Sequence, residues 1–479
     1  MKRRLLIVSL LSLVLVLAMG ASVSAQSATN DAPWTSSITY YTPSTTGGQM
    51  VVSYYAEGSA TAVDAQTIDL SAKQAGSLFI GNTDVPAGFE GAAVISSDVP
   101  VVAVNVQFAS SGLSGQYGRL LYSGFSIDQA AETFFIPTVL YQRFGSTSMI
   151  GVQNVESFDI DVTMKLYAAG ETTPTATVDQ NIKAQSSWVV SAAELGLPAN
   201  FNGSATIEPQ SGGVAGRVVA SVQETDDSGR GAYAFEGVAQ GSETVYMASM
   251  LCDAFGGQNS FYAVQNASLV DDATVTIDFY EPGNATPIAS KAATTIPAGG
   301  KISVNPCNEG VPAGTSGSAV ISGEVGDAII AIGKVKAPNG LATSFVGESA
   351  GAMDSSSAYI RWADNHYNEF RAFVAVMNVS ATAADCTATY YDATGNIAGS
   401  EDLLDIAQYN KVNTNASSAG ALDTNGEFGT GASVAGTGGA LELSCDQPVV
   451  TVVRLTRRVD LDGGSTTLFG EDYNATAGN

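Results

Sequence analysis

Histidine is almost absent from this 479-residue sequence: His366 is the single copy, in a polar stretch between Asn365 and Tyr367. A catalytic triad or a three-ligand zinc site needs histidine or thiolate partners that its neighbours do not supply. No nucleophile elbow, P-loop or dinucleotide fingerprint occurs in a strand-to-helix context. A glycosidase-like carboxylate pair would have to come from the 46 acidic residues, whose scatter over repeated loops argues against it. We therefore predict that the chain is not an enzyme.

Positive charge is also scarce. Lys and Arg number 20 against 46 Asp and Glu, so the formal net charge is −26, and Lys2, Arg3 and Arg4 hold three of those cations. A polyanion would be repelled, which excludes nucleic acid as a partner. The acidity favours a soluble exported chain over one with a specific cation-binding role.

Long apolar runs are confined to the first 25 residues. The cationic start is followed by an apolar stretch from Leu5 to Ala18 and by the small-residue pattern Val23-Ser24-Ala25. This pattern predicts a signal peptide over residues 1–25, cleaved after Ala25, and hence an extracellular or cell-surface protein. The alternative, a retained membrane anchor, is disfavoured because the apolar stretch is shorter than the ~20 residues that span a bilayer. No later run reaches that length, so no membrane insertion is predicted after cleavage. The end of the chain, residues 470–479, shows no anchor signal either.

A sustained 3.6-residue apolar period is missing after residue 25, so helices are predicted to be negligible. What recurs instead is a period of about 112 residues, read from four anchors. The first anchor is a strand that ends in a Tyr and is followed within four residues by a Gly. The second and third are a Gly-Ser-Ala-Val-Ile-like strand and a Val-Gln-Asn-like strand, and the fourth is a Phe that closes each unit. These anchors are Tyr55, Tyr167, Tyr280 and Tyr391; Gly91–Ile95, Gly203–Ile207 and Gly317–Ile321; Val152–Asn154, Val264–Asn266 and Val376–Asn378; and Phe125, Phe235, Phe345 and Phe469.

The repeat predicts an all-β fold of four tandem β-sandwich modules in an elongated array. Period-two alternation gives about seven short strands per unit, and a unit of ~110 residues is long enough to bury its own core. The predicted modules are 26–125, 126–237, 238–347 and 348–479, separated by polar or Gly/Ser/Ala-rich segments.

The Pro-Ala-Gly turn, the Gly-Ser-Ala-Val-Ile strand and the Val-Gln-Asn strand resemble the immunoglobulin-like tandem modules of bacterial cell-surface and filament proteins. The resemblance covers residues 36–470 and implies an architecture and a location, not a reaction. It leads us to expect a self-associating structural protein, a subunit of an extracellular filament, sheath or surface layer held by non-covalent contacts. The alternative is an adhesin or carbohydrate-binding surface protein that acts as a monomeric rod on a glycan or matrix ligand.

The four cysteines lie in the last two modules. Three pairings are open to Cys252, Cys307, Cys386 and Cys445, and confinement of one pair to each module favours Cys252 with Cys307 and Cys386 with Cys445. In an exported protein these pairs are expected to be oxidised. A site in which all four thiolates bind a metal is the alternative, but no C-x-x-C spacing supports it.

Calcium is the one cofactor that the sequence suggests, and only weakly. Its candidate ligands are the loop acids Asp226, Asp227, Asp460 and Asp462, which offer the oxygen atoms that a hard cation prefers. Their spacing does not match an EF-hand, and solvated acidic turns explain them equally well. The prediction therefore names no cofactor.

The first module is short at its start. The second module opens with Phe134–Pro137, about 17 residues before Val152, and the same distance before Tyr40 falls inside the signal peptide. The processed first module is therefore predicted to lack its opening strand. Its open sheet edge would accept a strand from another subunit, or be covered by residues 26–34.

Overall fold

The structure is a computed structural model that describes residues 12–16, 34–109, 119–226, 232–363, 369–429, 438–460 and 466–478. Within these ranges the regular structure is β-strand, with three short 3₁₀ helices at Ile80–Asn82, Ile127–Gln129 and Pro306–Glu309. The predicted all-β class and the tandem β-sandwich modules are confirmed.

The strands repeat in the same order in each module. The first module contains β1 (Ser12–Val16), β2 (Trp34–Tyr41), β3 (Gly48–Ala56), β4 (Ala62–Leu70), β5 (Ala75–Phe79), β6 (Gly91–Ser97), β7 (Val102–Ala109), β8 (Arg119–Ser123) and β9 (Phe125–Ser126). The second contains β10 (Phe134–Tyr141), β11 (Ser146–Asn154), β12 (Ile160–Ala168), β13 (Ala176–Ile182), β14 (Ser187–Ser191), β15 (Phe201–Pro209), β16 (Val218–Asp226) and β17 (Ala232–Glu236). The third contains β18 (Thr244–Cys252), β19 (Asn259–Asn266), β20 (Ala273–Tyr280), β21 (Ala289–Ile296), β22 (Lys301–Val304), β23 (Thr315–Ser322), β24 (Ile329–Lys336) and β25 (Ala342–Val346). The fourth contains β26 (Ala352–Ile360), β27 (Trp362–Ala363), β28 (Glu369–Asn378), β29 (Ala384–Tyr391), β30 (Ile397–Ile406), β31 (Lys411–Thr414), β32 (Gly439–Asp460), β33 (Thr466–Asn474) and β34 (Thr476–Ala477).

Each module is a sandwich of two antiparallel sheets, seen most simply in the second and third modules. Their strand orders are β10-β15-β12-β13 with β14-β11-β16-β17, and β18-β23-β20-β21 with β22-β19-β24-β25. Numbered within a module, the sheets are therefore 1-6-3-4 and 5-2-7-8. In the first module β1 to β8 take these eight positions. In the fourth module positions 1 to 5 are β26, β28, β29, β30 and β31, β32 covers positions 6 and 7, and β33 is position 8. In the fourth module the 22-residue β32 pairs with β29 near its start and with β28 and β33 further on, so one long strand serves both sheets. The constant-type immunoglobulin domain pairs seven strands as ABED and CFG, so the likeness is in the two-sheet architecture and not in the strand order.

Alternating side chains explain why the 1-6-3-4 sheets form. In β12, Ile160, Val162, Met164 and Leu166 are fully buried, while the side chains between them are partly exposed. Successive side chains of a strand point to opposite faces, so this pattern places one face on the module core.

The asparagine of the Val-Gln-Asn anchor is buried and hydrogen-bonds to three backbone groups. We call Asn154, Asn266 and Asn378 the clasp asparagines. Asn154 Nδ2 donates to the carbonyl oxygens of Phe158 at 2.7 Å and Ile182 at 3.1 Å, and its Oδ1 accepts from the Glu156 amide at 2.8 Å. Asn266 and Asn378 make the same three contacts in their modules. The anchor therefore ties the end of each second strand to the third and fourth strands. Its role is structural.

The predicted Phe anchor is correct in the second and third modules, but in the first and fourth modules the equivalent residue is a Tyr. The residues that follow the last strands make one repeated backbone hydrogen bond, from the amides of Gly124, Gly237, Gly347 and Ala475 to the seventh strand. Counting back from these positions makes Phe235 and Phe345 equivalent to Tyr122 and Tyr473, not to Phe125 and Phe469. All four equivalent rings are buried.

The predicted elongated array is not what the structure shows, because the first module packs against the fourth. Lys73 Nζ lies 2.6 Å from Glu442 Oε1, and Arg119 Nε lies 2.5 Å from Glu471 Oε1. Val104, Val106 and Leu121 of the first module are buried in one apolar cluster with residues of the fourth. The last strands β8, β17, β25 and β33 contact one another in a closed cycle. The four modules therefore form a ring.

Apolar burial at the junctions explains this closure. β7 and β24 are buried along nearly their whole length, so both faces of their sheets are covered. One face covers the core of the module and the other packs on the neighbouring module. In an elongated array of separate modules, that second face would be exposed to water.

Candidate functional site

The junctions between modules reuse one pair of turns. The turn between the third and fourth strands of one module lies against the turn between the fourth and fifth strands of the next. Ser186 Oγ donates to the Ala56 carbonyl at 3.0 Å, and Asn410 Oδ1 accepts from the Gly283 amide at 2.6 Å. Heterologous contacts of this kind, repeated around a chain, close into a ring.

A left-handed backbone residue shapes the second turn of each pair. Lys73, Gln185, Gly299 and Tyr409 occupy equivalent positions and have φ between 55° and 69°. Such values are uncommon for residues other than glycine, and three of the four are not glycine. The same left-handed turn recurs four times at a contact surface, three times on a residue for which it is strained, which indicates that the junctions are built into the repeat.

Ion pairs add to the junctions. Glu224 is fully buried in the second module and pairs with Lys334 of the third. Arg454 of the fourth module forms a forked pair with Asp472, at 2.9 Å and 2.7 Å, and also donates to Ser249 of the third. Because these carboxylates are buried, removing one partner would leave an uncompensated charge.

Two lysines are buried at the start of the fifth strands. Lys301 Nζ crosses a junction and donates to Thr138 Oγ1 at 3.0 Å. Burial, with repulsion from Lys334, lowers the pKa of Lys301 to about 7. In the equivalent position, burial and repulsion from Arg454 lower the pKa of Lys411 to about 7.

Two carboxyl groups lie near the ends of the last strands. Glu236 accepts a hydrogen bond from the Ser123 amide across the first junction, and Glu348 Oε1 accepts from Asn474 Nδ2 at 2.6 Å across the third. Burial raises the pKa of Glu236 to about 7 despite the hydrogen bonds that it accepts. Burial raises the pKa of Glu348 to about 7 as well, against the opposing bond from Asn474.

Two exposed phenylalanines mark equivalent loops. Phe144 lies between β10 and β11 and is 67% exposed, and Phe255 lies between β18 and β19 and is 70% exposed. Both have positive φ, 56° and 48°, which is strained for a bulky side chain. Because the modules are related around one ring, the two loops lie on the same side of it.

Phe144 and Phe255 are not among the site residues predicted from the sequence, although the sequence contains a signal for them. Phe144-Gly145 and Phe255-Gly256 are 111 residues apart, close to the repeat period. The equivalent loop of the fourth module, residues 364–368 with His366, lies outside the described residues.

In the first module, the gap expected at its start is occupied by β1. Residues 12–16 pair antiparallel with β6 on one side and with β9 on the other. These residues belong to the predicted signal peptide.

The structure contains the disulfides Cys252–Cys307 and Cys386–Cys445, the same pairing that the sequence favoured. Disulfides are typical of chains that fold in an oxidising compartment.

The calcium candidates are not brought together by any described contact. Asp227 and Asp462 lie outside the described residues, and Asp226 and Asp460 end strands without described side chains. In the described ranges, no three His, Cys, Asp or Glu side chains are grouped to hold a metal ion. In the same ranges, no helix is long and apolar enough to cross a membrane.

The fold and the site define a class: an all-β ring of tandem β-sandwich modules. No protein-family model and no curated protein matches the chain. Among solved structures, one similarity is to the crystal structure of a tetra-tandem repeat in the extending region of a large adhesion protein. That structure is 11% identical, the match covers 97% of this chain and 99% of the other, and the TM-score is 0.10. A score this low supports no argument about function.

Proposed function

We propose that this chain is an exported structural protein that associates with further copies of itself at the cell surface, as a subunit of a filament, sheath or surface layer. The closed ring supports this role because apolar clusters continue from one module into the next. Apolar interfaces shared between modules oppose relative motion of the modules, which suits a structural subunit. The disulfides and the predicted signal peptide support the location.

The observation that carries the proposal is the pair Phe144 and Phe255. Two large rings are held out from one side of the ring of modules on strained backbone. Strain of this kind costs about 1–3 kcal/mol per residue and persists where the surrounding structure imposes it. Burying an exposed Phe against another copy would return roughly 1.5–3 kcal/mol. We therefore assign this side of the ring to contact between copies.

The test is the double variant Phe144→Ser/Phe255→Ser in the processed chain, residues 26–479. Its critical concentration for assembly, measured by light scattering and electron microscopy, is expected to rise at least about tenfold, the change that ~1.4 kcal/mol of lost contact energy produces. The matched control is Phe158→Ser, because Phe158 is 46% exposed in a different loop. Unchanged assembly in the double variant would remove this face from the proposal.

The second candidate function, an adhesin or carbohydrate-binding protein, is favoured by the same two rings, since an exposed aromatic face also stacks on sugar. The two functions predict different behaviour of the unmodified processed chain. A structural subunit assembles without a ligand. An adhesin stays monomeric and binds a glycan or matrix surface, and Phe144→Ser/Phe255→Ser would abolish that binding.

A further inference from the structure

We propose that removal of the signal peptide opens a strand-sized slot in the first module, and that a β-strand from a second copy of this chain fills it. The inference rests on the proposed function, because it requires export, cleavage after Ala25 and self-association. It adds a second contact between copies, strand addition at the first module, to the contact made by Phe144 and Phe255.

The slot has two defined sides. On one side, β1 pairs with β6 from Ser12↔Ser97 to Val16↔Ala93. On the other side, Leu15 pairs with Phe125 and Val14 with Ser126. Taking out residues 12–16 therefore exposes two facing strand edges at once. Unpaired edges are templates for strand addition, because their amides and carbonyls have no partner.

The other three modules show what this position requires. In the second module, Ile136 pairs with Ala205 while Phe135 bridges to Val238. The third and fourth modules repeat the arrangement, in the pairs Val245↔Ile321, Tyr246↔Glu348, Ser357↔Leu441 and Ser356↔Thr476. A first strand held between two neighbours is thus part of every module. Without one, the first module is incomplete.

In the processed chain, the first module has no residues at the position from which the other modules form their first strand. The comparison uses the number of residues between the first strand and the end of the second strand. Ile136 lies 18 residues before the clasp Asn154, and Met247, which pairs with Ala319, lies 19 before Asn266. Thr42 stands at the clasp position of the first module, and 18 or 19 residues before it are Ser24 and Val23. Both would be removed with the signal peptide. The processed chain begins beyond the residues that would occupy its own slot.

We assign a second copy of the processed chain as the occupant, with its residues 26–33 as the strand that enters the slot. Every described strand of modules two to four already pairs within its own module. Residues 26–33 precede β2, the first described strand of the processed chain, and we assign this arm as the donor segment. An arm from another copy enters the slot without the short connection to β2. Its composition suits the position, since the fourth module fills the equivalent place with Ser355–Ala358, all buried. Ser27, Ala28 and Thr29 are side chains of the same small kind.

The experiment uses the processed chain, residues 26–479, with a synthetic peptide of residues 9–18 that carries a soluble lysine tail. The peptide is expected to bind the chain one to one, measured by calorimetry, and to raise the concentration at which assembly begins at least tenfold. The control is the same peptide with Val14→Pro and Val16→Pro, since proline removes strand donors. A chain that begins at Trp34 should still bind the peptide but should not assemble, which shows that its slot remains folded.

The outcomes separate this inference from the function on which it rests. Assembly that neither the peptide nor the arm deletion changes would overturn strand addition and leave the structural function intact. A processed chain that stays monomeric while still binding the peptide would show an intact slot without a second copy, and would overturn both proposals. A processed chain that is monomeric and binds no peptide would show that its own arm closes the slot, again against the inference.

Discussion

At the scale of single residues, Glu236 and Glu348 couple the ring to pH. Each has a folded-state pKa of about 7, above the ordinary value of 4.5, because burial disfavours its charged form. Between pH 4.5 and 7 the folded state binds more protons than the unfolded state, so the free energy of unfolding falls as pH rises through this window. The stabilisation is fully present below pH 4.5 and is lost above pH 7.

We therefore predict that Glu236→Gln/Glu348→Gln flattens the decrease in melting temperature between pH 5 and pH 8. Glutamine keeps the shape and cannot ionise. Thermal unfolding followed by circular dichroism at several pH values measures the slope. Glu281→Gln is the control, because Glu281 is exposed, and an equal slope in the double variant and the unmodified chain would contradict the prediction.

Lys301 acts in the opposite direction. Its folded-state pKa of about 7 lies below the ordinary value of 10.5, so the unfolded state binds more protons between pH 7 and pH 10.5 and stability rises with pH there. Lys301→Met is expected to raise the free energy of unfolding at pH 7 by about 1 kcal/mol or more, since a buried charge gives way to apolar packing. Urea unfolding at pH 7 and pH 10 tests this, with Lys336→Met on the exposed end of β24 as control. A less stable Lys301→Met at both pH values would show that the amine is needed.

The roles of single residues could be predicted from the sequence where they depend on a local pattern. The cysteine pairing followed from the confinement of each pair to one module, and the clasp asparagines stood out by their spacing. Phe144 and Phe255 did not, because a phenylalanine in a strand-rich sequence is ordinarily part of a core. Their exposure depends on the positive φ of the loop, which single-residue patterns do not report.

At the scale of elements, each disulfide links two elements that are distant in the sequence. Cys386 stands directly opposite Cys445 on β29 and β32, while Cys252 ends β18 and Cys307 lies in the 3₁₀ helix after β22. Their sequence separations, 59 and 55 residues, are nearly equal. Loop-closure entropy depends only weakly on loop length, so each link is expected to stabilise the fold by a similar amount.

The prediction is that Cys252→Ala/Cys307→Ala and Cys386→Ala/Cys445→Ala each lose about 2–4 kcal/mol of unfolding free energy. Guanidinium unfolding of the two double variants measures both. A variant that loses nothing would indicate that its module is held by the neighbouring modules instead.

Strands could be predicted where one face meets water, as in β12, because their side chains alternate. β7 and β24 are buried on both faces. The near-continuous apolar start of β24 indicates this, whereas β7 buries the polar side chains Asn105 and Gln107 and alternates like a half-exposed strand. Period-two alternation therefore predicts that these strands exist but does not predict their second buried face. That face is the one that packs on a neighbouring module.

At the scale of the whole molecule, the second buried face of β7 and β24 determines whether the modules form a ring or an elongated array. Repeats of ~110 residues are long enough to fold as separate beads, which is why the spacing alone predicted an elongated array. Closure depends on contacts between residues more than 350 positions apart, such as Arg119 with Glu471 and Lys73 with Glu442. No periodicity in the sequence contains that information.

Small-angle X-ray scattering of the monomer, separated by in-line size exclusion, measures this closure directly. A closed ring of four modules is predicted to have a radius of gyration close to the ~22 Å of a compact body of this length. Four modules in a line, each with a radius of gyration of ~13 Å, would give roughly 40 Å. The lower value would support the ring, its junctions and the contact face that the proposed function places on one side of it, and the higher value would contradict them.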